Sequence, residues 1–170
     1  AVSCVQRFFT FTADSRSARM TLPNFIIVGA LKCGTTAVYS YLRSHPEAFL
    51  PSRKEPNFFC SNRYYGLENP DEYYGLFRRA GNAKAVGEAS PRYFGDPGAP
   101  LLIRDALGAD IKILIFLRNP VDTVYSMWGQ MVQSGLEGLP FEMAYVTGQT
   151  RFEDRDFIRR FGRWRYMFDY

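Results

Sequence analysis

A glycine-bounded loop near the start of the chain has the residue types needed to hold an anion. The apolar run over residues 25–28 ends in Gly29, and the loop that follows contains Lys32 and Gly34 before a helical pattern over residues 37–43. A strand, a loop and a helix in this order direct backbone N–H groups and the positive end of the helix towards one point. Glycine lets the backbone approach a ligand closely, and a lysine adds positive charge. The stretch therefore predicts a loop that binds a phosphate or sulfate group.

The order of residues in this loop differs from that of the Walker A motif of ATP- and GTP-binding proteins. In Walker A the lysine comes directly after the last glycine. Here Thr35 holds that position, and Lys32 stands two residues before Gly34. We therefore expect the lysine to lie along the side of the loop. Thr35 and Thr36 offer hydroxyl donors to the anion, and Cys33 is a small residue inside the loop. A tight turn without a ligand is the alternative interpretation.

A second anion-binding pattern follows an apolar segment later in the chain. Residues 111–117 are apolar almost throughout, which predicts a strand buried on both faces of a parallel sheet. Arg118 comes directly after it, and Asn119 and Pro120 are suited to begin a helix as its cap and first residue. Ser126 follows seven residues after Asn119, so it lies close to the same helix face. A guanidinium and a hydroxyl that converge in this way suit a phosphate dianion.

Two glutamates are candidates for acid–base chemistry beside these cations. Glu55 directly follows Lys54 and precedes the aromatic pair at residues 58–59, a segment that predicts an edge strand. Glu88 belongs to a second predicted parallel strand, which with its exit covers residues 85–94. A solvated loop would explain Glu55 without chemistry. A buried carboxylate paired with an arginine would explain Glu88.

Taken together, these motifs resemble those of the sulfotransferases that use 3′-phosphoadenosine 5′-phosphosulfate (PAPS). The first loop is similar to the 5′-phosphosulfate loop of that family, Gly-x-x-Lys-x-Gly-Thr-Thr. The Leu-Arg-Asn-Pro-x-Asp-x-x-Tyr-Ser segment resembles the family's 3′-phosphate motif, and every fixed position of it is present. Lys-Glu-x-x-Phe-Phe is similar to a segment of the heparan-sulfate-type and related bacterial members. Two anion motifs in the right order, with a candidate base between them, are specific as a set.

The resemblance implies a role for each matching residue. Lys32 would stabilise the phosphate that leaves, and Glu55 would take the proton of the acceptor, so these are the two expected catalytic residues. Glu88 would orient Lys32 or face the acceptor. The residues expected to bind PAPS, and its product PAP, are Lys32, Cys33, Gly34, Thr35, Thr36, Arg118 and Ser126. No metal is expected, because the lysine and the helix dipole supply positive charge.

The resemblance covers about residues 23–133 and implies an α/β fold in which helices flank a parallel β-sheet, as in P-loop NTPases. We expect residues 1–22 to form a poorly ordered N-terminal extension and residues 23–170 to form the sulfotransferase domain. Family members usually continue further, so the resemblance implies that the C-terminal part of the family domain is missing. The arginine- and aromatic-rich residues 151–170 predict a partly buried amphipathic helix.

Composition narrows the classes of partner. The 170 residues carry a net charge of +4 with a pI near 9.0, which suits an anionic ligand but is too mild to indicate nucleic acid. No apolar run approaches the roughly 20 residues of a membrane span, and no signal-peptide pattern is present. Cys4, Cys33 and Cys60 cannot all pair and lack metal-type spacing. Reduced cysteines predict a cytoplasmic location.

Two other functions stay open at this point. A P-loop-type nucleotide kinase or NTPase would need a Walker lysine and an acid that holds Mg²⁺, whereas the apolar strand here ends in Arg118. A non-catalytic relative would hold the nucleotide without turnover. The acceptor is equally open, because a small molecule, a lipid or a glycan would each present a hydroxyl or an amine.

Overall fold

The computed structural model describes residues 21–61 and 66–151. Its strands are β1 (Phe25–Gly29), β2 (Ala48–Phe49), β3 (Ala85–Ala89) and β4 (Lys112–Ile115). Its α-helices are α1 (Thr35–Arg43), α2 (Pro70–Gly75), α3 (Ala99–Leu107), α4 (Pro120–Gln133) and α5 (Phe141–Arg151), with a 3₁₀ helix at Pro91–Gly95. The prediction for residues 1–22 falls almost wholly outside the described residues, and so does the prediction for residues 151–170.

The four strands form one parallel sheet in the order β2-β3-β1-β4. β1 is central and pairs with β3 on one side and β4 on the other, so that Phe25 lies beside both Gly87 and Lys112. This arrangement confirms the predicted α/β fold with helices around a parallel sheet. Because the strands are parallel, the loops that leave β1, β3 and β4 all emerge at the same edge of the sheet.

Two apolar clusters cover the two faces of the sheet, since successive side chains of β1 alternate between them. Ile26 and Val28 belong to the first cluster, and Phe25 and Ile27 belong to the second. The first cluster also contains Phe59, Leu67, Tyr73, Phe77, Tyr93 and Ile103, and the second contains Tyr39, Leu50 and Ala89. All of these side chains are buried, so the core anchors the elements from which the loops at the sheet edge emerge.

Gly87 of β3 is a place where the sheet requires a glycine. A Cβ atom built on Gly87 would lie 2.5 Å from the ring of Phe25, its neighbour across the strands. That distance is far below van der Waals contact, so the aromatic ring occupies the space that a side chain on β3 would need. The ring thereby covers a glycine that would otherwise leave the strand poorly packed.

The prediction that residues 111–117 are buried on both faces is wrong. β4 forms an edge of the described sheet, and the side chains of Ile113 and Ile115 are 44% and 50% exposed. Leu114 and Phe116, on the opposite face, do pack against the second cluster. An apolar run identifies a strand, but whether a further element covers it depends on tertiary structure.

The aromatic pair at residues 58–59 also differs from the prediction, because it lies in an irregular loop and not in an edge strand. Its rings belong to the core. Phe59 is buried, and Phe58 stacks on Tyr73 with 4.4 Å between the ring centroids. The aromatic residues fit a strand pattern by composition, yet their packing is against α2.

In the described part of the chain, no helix is both long and apolar enough to cross a membrane.

Candidate functional site

The loop after β1 has the conformation expected of an anion-binding loop. Lys32 is left-handed with φ 60°, and Gly34, which precedes α1, has φ 82°. No side chain caps the start of α1, so its first N–H groups point out of the helix without a side-chain acceptor. The chain thus places a lysine beside a free helix N-terminus, the arrangement that stabilises negative charge.

Backbone hydrogen bonds fix where this loop begins. The N–H of Ala30 donates to the carbonyl of Phe116 over 2.8 Å, and the N–H of Phe116 donates to the carbonyl of Gly29 over 2.7 Å. A Cβ on Gly29 would lie 2.5 Å from Cβ of Phe94, so the neighbouring 3₁₀ helix leaves no room for a side chain. The loop after β1 is therefore joined to the end of β4, where the second motif starts.

Arg118 and Ser126 lie on either side of the start of α4. The side-chain oxygen of Asn119 accepts from the N–H of Val121 over 2.9 Å, which confirms the predicted cap. The Arg118 side chain is 47% exposed, and its Nε is 3.7 Å from a carboxylate oxygen of Asp122 one turn later. Ser126 is half-buried on the same helix. The guanidinium is therefore accessible to a ligand and loosely held within the protein.

One pocket of about 560 Å³ brings Lys32, Arg118 and Ser126 together. Its remaining lining consists of Val121, Asp122, Tyr125, Gly129, Gln130, Gln133 and Phe141. Two cations and a hydroxyl thus share a cavity with aromatic side chains from α4 and α5. The sequence predicted the three polar residues. It did not predict Phe141, because α5 reaches the pocket only through its packing against α4, where the Phe141 ring lies 5.0 Å from that of Tyr125.

The other residues of the loop lie close to the pocket but do not line it. Thr35 is buried at the first position of α1, and Thr36 is exposed beside it. Cys33 is half-buried, with Sγ 3.9 Å from the hydroxyl oxygen of Thr123 on α4. This contact shows how near the loop lies to α4. Through their backbone N–H groups, residues 34–36 offer donors to a ligand held at the helix end.

Glu55 lies in the loop that joins β2 to α2, outside the lining of that pocket. Its carboxylate is half-buried and 3.2 Å from Nζ of Lys54. The Lys54 ammonium lies 6.0 Å from the ring centroid of Tyr39 on α1, and the Tyr39 hydroxyl donates to the carbonyl of Pro51. The Glu55 loop is therefore tied to the helix that begins at the anion-binding loop. Tyr39 was not predicted as part of a site.

Glu88 is fully buried at the carboxyl end of β3. One carboxylate oxygen accepts from the Ser90 hydroxyl over 2.7 Å, and the other accepts from the Tyr93 hydroxyl over 2.9 Å. Burial raises the pKa of Glu88 to about 7, while the hydrogen bonds from Ser90 and Tyr93 oppose that rise and the charge of nearby Glu55 adds to it. These hydrogen bonds go to hydroxyls, and not to Lys32 as the sequence led us to consider.

The two hydroxyls that bind Glu88 also bind the Glu55 loop. The N–H of Asn57 donates to the Ser90 hydroxyl oxygen over 3.0 Å, and the N–H of Phe59 donates to the Tyr93 hydroxyl oxygen over 3.3 Å. Burial, followed by the nearby charge of Glu88, raises the pKa of Tyr93 far above its usual range. Sequence reasoning gave Ser90 and Tyr93 no role. A signal was available in their spacing, because Ser90 and Tyr93 follow Glu88 by two and five residues at the end of a predicted strand.

Comparisons with known proteins show the family of the chain. The sequence model of the family described as "Sulfotransferase domain" matches residues 22–164. The chain is 36% identical over 115 residues to "Membrane-associated sulfotransferase kil1" of Dictyostelium discoideum, covering 67% of this chain and 24% of that protein. It is 35% identical over 128 residues to "Heparan sulfate glucosamine 3-O-sulfotransferase 6" of Mus musculus, covering 74% of this chain and 35% of that protein.

A solved structure is similar as well. The crystal structure of a sulfotransferase from Alicyclobacillus acidocaldarius superimposes with a TM-score of 0.72 at 37% sequence identity. The match covers 78% of this chain and 59% of that one. The chain thus spans only a quarter to about a third of the two curated relatives, and less than two thirds of the bacterial chain.

Proposed function

Because the chain belongs to the sulfotransferase family, we propose that it transfers the sulfuryl group of PAPS to a hydroxyl or an amine of an acceptor. The observation that carries this proposal is that Lys32, Arg118 and Ser126 line one and the same pocket. The names of the relatives, all sulfotransferases, support transfer of a sulfuryl group. The donor, the residue roles and the acceptor are what the proposal adds.

The residues around the pocket fit a nucleotide that bears anionic groups at both ends. The N-terminus of α1 with Lys32 suits the 5′ end, and Arg118 with Ser126 suits a 3′-phosphate. A volume of about 560 Å³ is typical of small-molecule sites. The ion pair between Arg118 and Asp122 is long and exposed, so a phosphate dianion competes with it readily.

When bound, PAPS supplies the sulfuryl group and the phosphate that departs from it. Sulfuryl transfer resembles phosphoryl transfer, in which an in-line, loose transition state leaves positioning and electrostatics as the main tasks of the protein. Lys32 stabilises the negative charge that grows on the departing 5′-phosphate. The backbone N–H groups at residues 34–36 and the hydroxyls of Thr35 and Thr36 hold the same end of the nucleotide. These donors need no metal ion beside them.

Glu55 is the proposed general base. Its carboxylate is half-buried and 3.2 Å from Nζ of Lys54, and its exposed part can be reached by an acceptor that approaches from solvent. Glu55 does not line the nucleotide pocket, so donor and base are on separate elements joined through α1 by Tyr39. The acceptor hydroxyl or amine would enter between them.

The acceptor class remains a small molecule, a lipid or a glycan. A glycan is favoured by the names of two relatives, heparan sulfate glucosamine 3-O-sulfotransferase 6 and carbohydrate sulfotransferase 15 of Rattus norvegicus, the latter 30% identical over 148 residues.

We also propose a cytoplasmic location on the ground of free thiols. Cys33 and Cys60 are unpaired in the described residues. Fractionation of the native cells with an antibody would test it, and a secreted or membrane-bound pool would contradict it.

Calorimetric titration with PAP, in parallel with ATP and AMP, tests the donor site first. We expect PAP to bind, and ATP and AMP to bind at least tenfold more weakly, because neither carries a 3′-phosphate for Arg118 and Ser126. Arg118→Ala should weaken PAP binding roughly a hundredfold. Arg104→Ala, which removes an exposed arginine of α3 paired with Asp105, is the matched control and should bind PAP as the wild type does.

Other outcomes would favour the other functions. Equal binding of ATP together with Mg²⁺-dependent hydrolysis would favour a kinase or an NTPase. Selective PAP binding without transfer from PAPS to any of a panel of phenols, amines, lipids and polysaccharides would favour a non-catalytic relative. Absence of PAP binding would contradict the proposed donor site.

A further inference from the structure

A buried carboxylate beneath the Glu55 loop is not used by the proposed chemistry. Glu88 has no exposed surface, and each of its oxygens accepts one hydroxyl hydrogen bond. Ser90 and Tyr93 then accept the N–H groups of Asn57 and Phe59. Two chains of hydrogen bonds thus run from one carboxylate on β3 to the backbone of the loop that carries the proposed base.

The charge of Glu88 determines which groups donate and which accept in these two series of hydrogen bonds. An ionised carboxylate only accepts hydrogen bonds, so Ser90 and Tyr93 must each give it their single hydroxyl proton. The lone pairs of both hydroxyls are then directed to the N–H groups of Asn57 and Phe59. A protonated carboxyl, or an amide in its place, becomes a donor to one of the hydroxyls and leaves that hydroxyl's own proton without an acceptor in a buried site.

The loop needs such an anchor at the point where it is bound. Asn57 has φ 49°, a left-handed conformation that costs energy for a residue with a side chain. A Cβ on Gly66 would lie 2.2 Å from the Asn57 carbonyl oxygen, and the N–H of Leu67 donates to the Pro56 carbonyl over 2.8 Å. The backbone two residues after Glu55 is therefore held from both sides, by residues 66–67 and by the hydroxyls bound to Glu88.

We propose that Glu88 is a positioning residue: through Ser90 and Tyr93 it holds the backbone of residues 57–59 and so fixes the place of Glu55. The backbone part of this proposal is independent of the reaction. The catalytic consequence rests on the proposed function, in which Glu55 is the base.

The anchor responds to pH near neutrality. Burial raises the pKa of Glu88 to about 7, so the carboxyl is mainly protonated below that pH and mainly ionised above it. The titratable groups that face it are Glu55 from the loop, Tyr73 from α2, Tyr93 from the 3₁₀ helix and Cys60. Release of residues 57–59 alone leaves Glu88 buried, so the ionised form, which accepts from both hydroxyls, holds the loop more firmly above pH 7. Global unfolding hydrates Glu88 and has the opposite pH dependence.

Amide hydrogen exchange, measured residue by residue by NMR on the full chain at pH 6 and pH 8, tests the anchor without an acceptor. In the wild type, the protection factors of the Asn57 and Phe59 amides should rise from pH 6 to pH 8. In Glu88→Gln the protection factor of at least one of the two amides should fall roughly tenfold at pH 8, the effect of about one net hydrogen bond, and the pH response of both should vanish. Glu68→Gln, at an exposed glutamate before α2, is the matched control and should behave as the wild type.

Two further variants separate positioning from general loss of structure. Ser90→Ala should lower the protection factor of the Asn57 amide alone, and Tyr93→Phe should lower that of the Phe59 amide alone. The amides of β1 should stay protected in every variant. Unchanged protection of both loop amides in Glu88→Gln would overturn the proposal. A loss spread evenly over β1 and the loop would overturn it too, since it would show a structural role only.

The catalytic consequence is measured by transfer from PAPS to heparan sulfate or, where the wild type does not use it, to the member of the panel of phenols, amines, lipids and polysaccharides that the wild type does sulfate. Glu88→Gln should lower kcat about tenfold with the KM for PAPS unchanged, because the nucleotide pocket lies on other elements. A change in the KM for PAPS with kcat unchanged would overturn the link to Glu55. If the wild type neither binds PAP nor transfers sulfate, the proposed function fails while the exchange result still decides whether Glu88 anchors the loop.

Discussion

The pocket lined by Lys32, Arg118 and Ser126 and the hydrogen-bond network of Glu88 lie at the same edge of the sheet, yet their charged side chains have opposite environments. Arg118 in the pocket is 47% exposed and has a 3.7 Å ion pair with Asp122. Glu88 has no exposed surface, and its two oxygens accept hydrogen bonds of 2.7 Å from Ser90 and 2.9 Å from Tyr93. Arg118 is thus left exposed with a weak internal partner, whereas each oxygen of the buried Glu88 carboxylate has a hydroxyl donor.

The two regions share one property, which is strain in the backbone. Among the described residues, the two non-glycine residues with positive φ are Lys32, in the anion-binding loop, and Asn57, in the Glu55 loop. Left-handed residues with side chains cluster at functional sites, where the surrounding structure over-determines them. In the pocket the bound nucleotide would be expected to relieve that cost, while at Asn57 the protein itself supplies the partner.

The largest effect should come from Lys32→Ala, which removes the cation on the exposed side of the comparison. We expect the transfer rate to fall by roughly a thousandfold at saturating PAPS, because the charge on the departing phosphate loses its main stabilising partner. Initial rates with radiolabelled PAPS would measure this. Lys84→Ala, at an exposed lysine paired with Glu47, is the control. Full activity of Lys32→Ala would refute the mechanism.

The buried side of the comparison predicts a pH-dependent stability. The pKa of Glu88 is about 7 in the folded protein and 4.5 ordinarily, so between these values the folded state binds more protons than the unfolded state. The free energy of unfolding contributed by this group therefore falls as pH rises, by about 3 kcal/mol in total. Relative to Glu88→Gln, the wild type should lose stability from pH 5 to pH 8.

Urea denaturation of both proteins across that pH range measures this difference. Glu68→Gln should keep the wild-type slope, because Glu88 remains in place. A difference between wild type and Glu88→Gln that stays constant with pH would show that the carboxylate keeps an ordinary pKa. It would also remove the basis for a pH-responsive anchor.

Ser126→Ala sharpens the pocket side of the comparison with a smaller effect. The Ser126 hydroxyl contributes one hydrogen bond to a dianion, so PAP affinity should fall about tenfold, less than in Arg118→Ala. AMP affinity should stay unchanged, since AMP lacks a 3′-phosphate. Calorimetry with both nucleotides measures this. Equal losses for PAP and AMP would mean that Ser126 does not distinguish the 3′ end.

Removal of divalent cations should have the smallest effect. Lys32 and the uncapped N-terminus of α1 supply the positive charge that a metal supplies in kinases, so EDTA should leave the transfer rate unchanged. Rates with EDTA and with added Mg²⁺ measure this. Activity that is lost in EDTA and restored by Mg²⁺ would return the kinase or NTPase interpretation.

The sequence was sufficient to predict the parallel sheet and the convergence of Lys32 with Arg118 and Ser126. Each motif follows a strand, and parallel strands end at a common edge, so motif order alone brings these residues together. It was insufficient to predict the exposure of β4, since an apolar run does not reveal whether another element covers the strand. It was also insufficient for the Glu88 network, because Ser90 and Tyr93 acquire their role only when a loop more than thirty residues earlier packs against them.

The pairing of Gly87 with Phe25 has a consequence for how this sheet evolves. The ring lies where any Cβ at position 87 would have to be, so neither residue changes freely without the other. A glycine-to-alanine change on β3 becomes tolerable only together with a smaller residue at the start of β1. The two positions lie sixty-two residues apart along the chain, and we expect a substitution at one to depend on the residue at the other. In a collection of related sequences they should vary together.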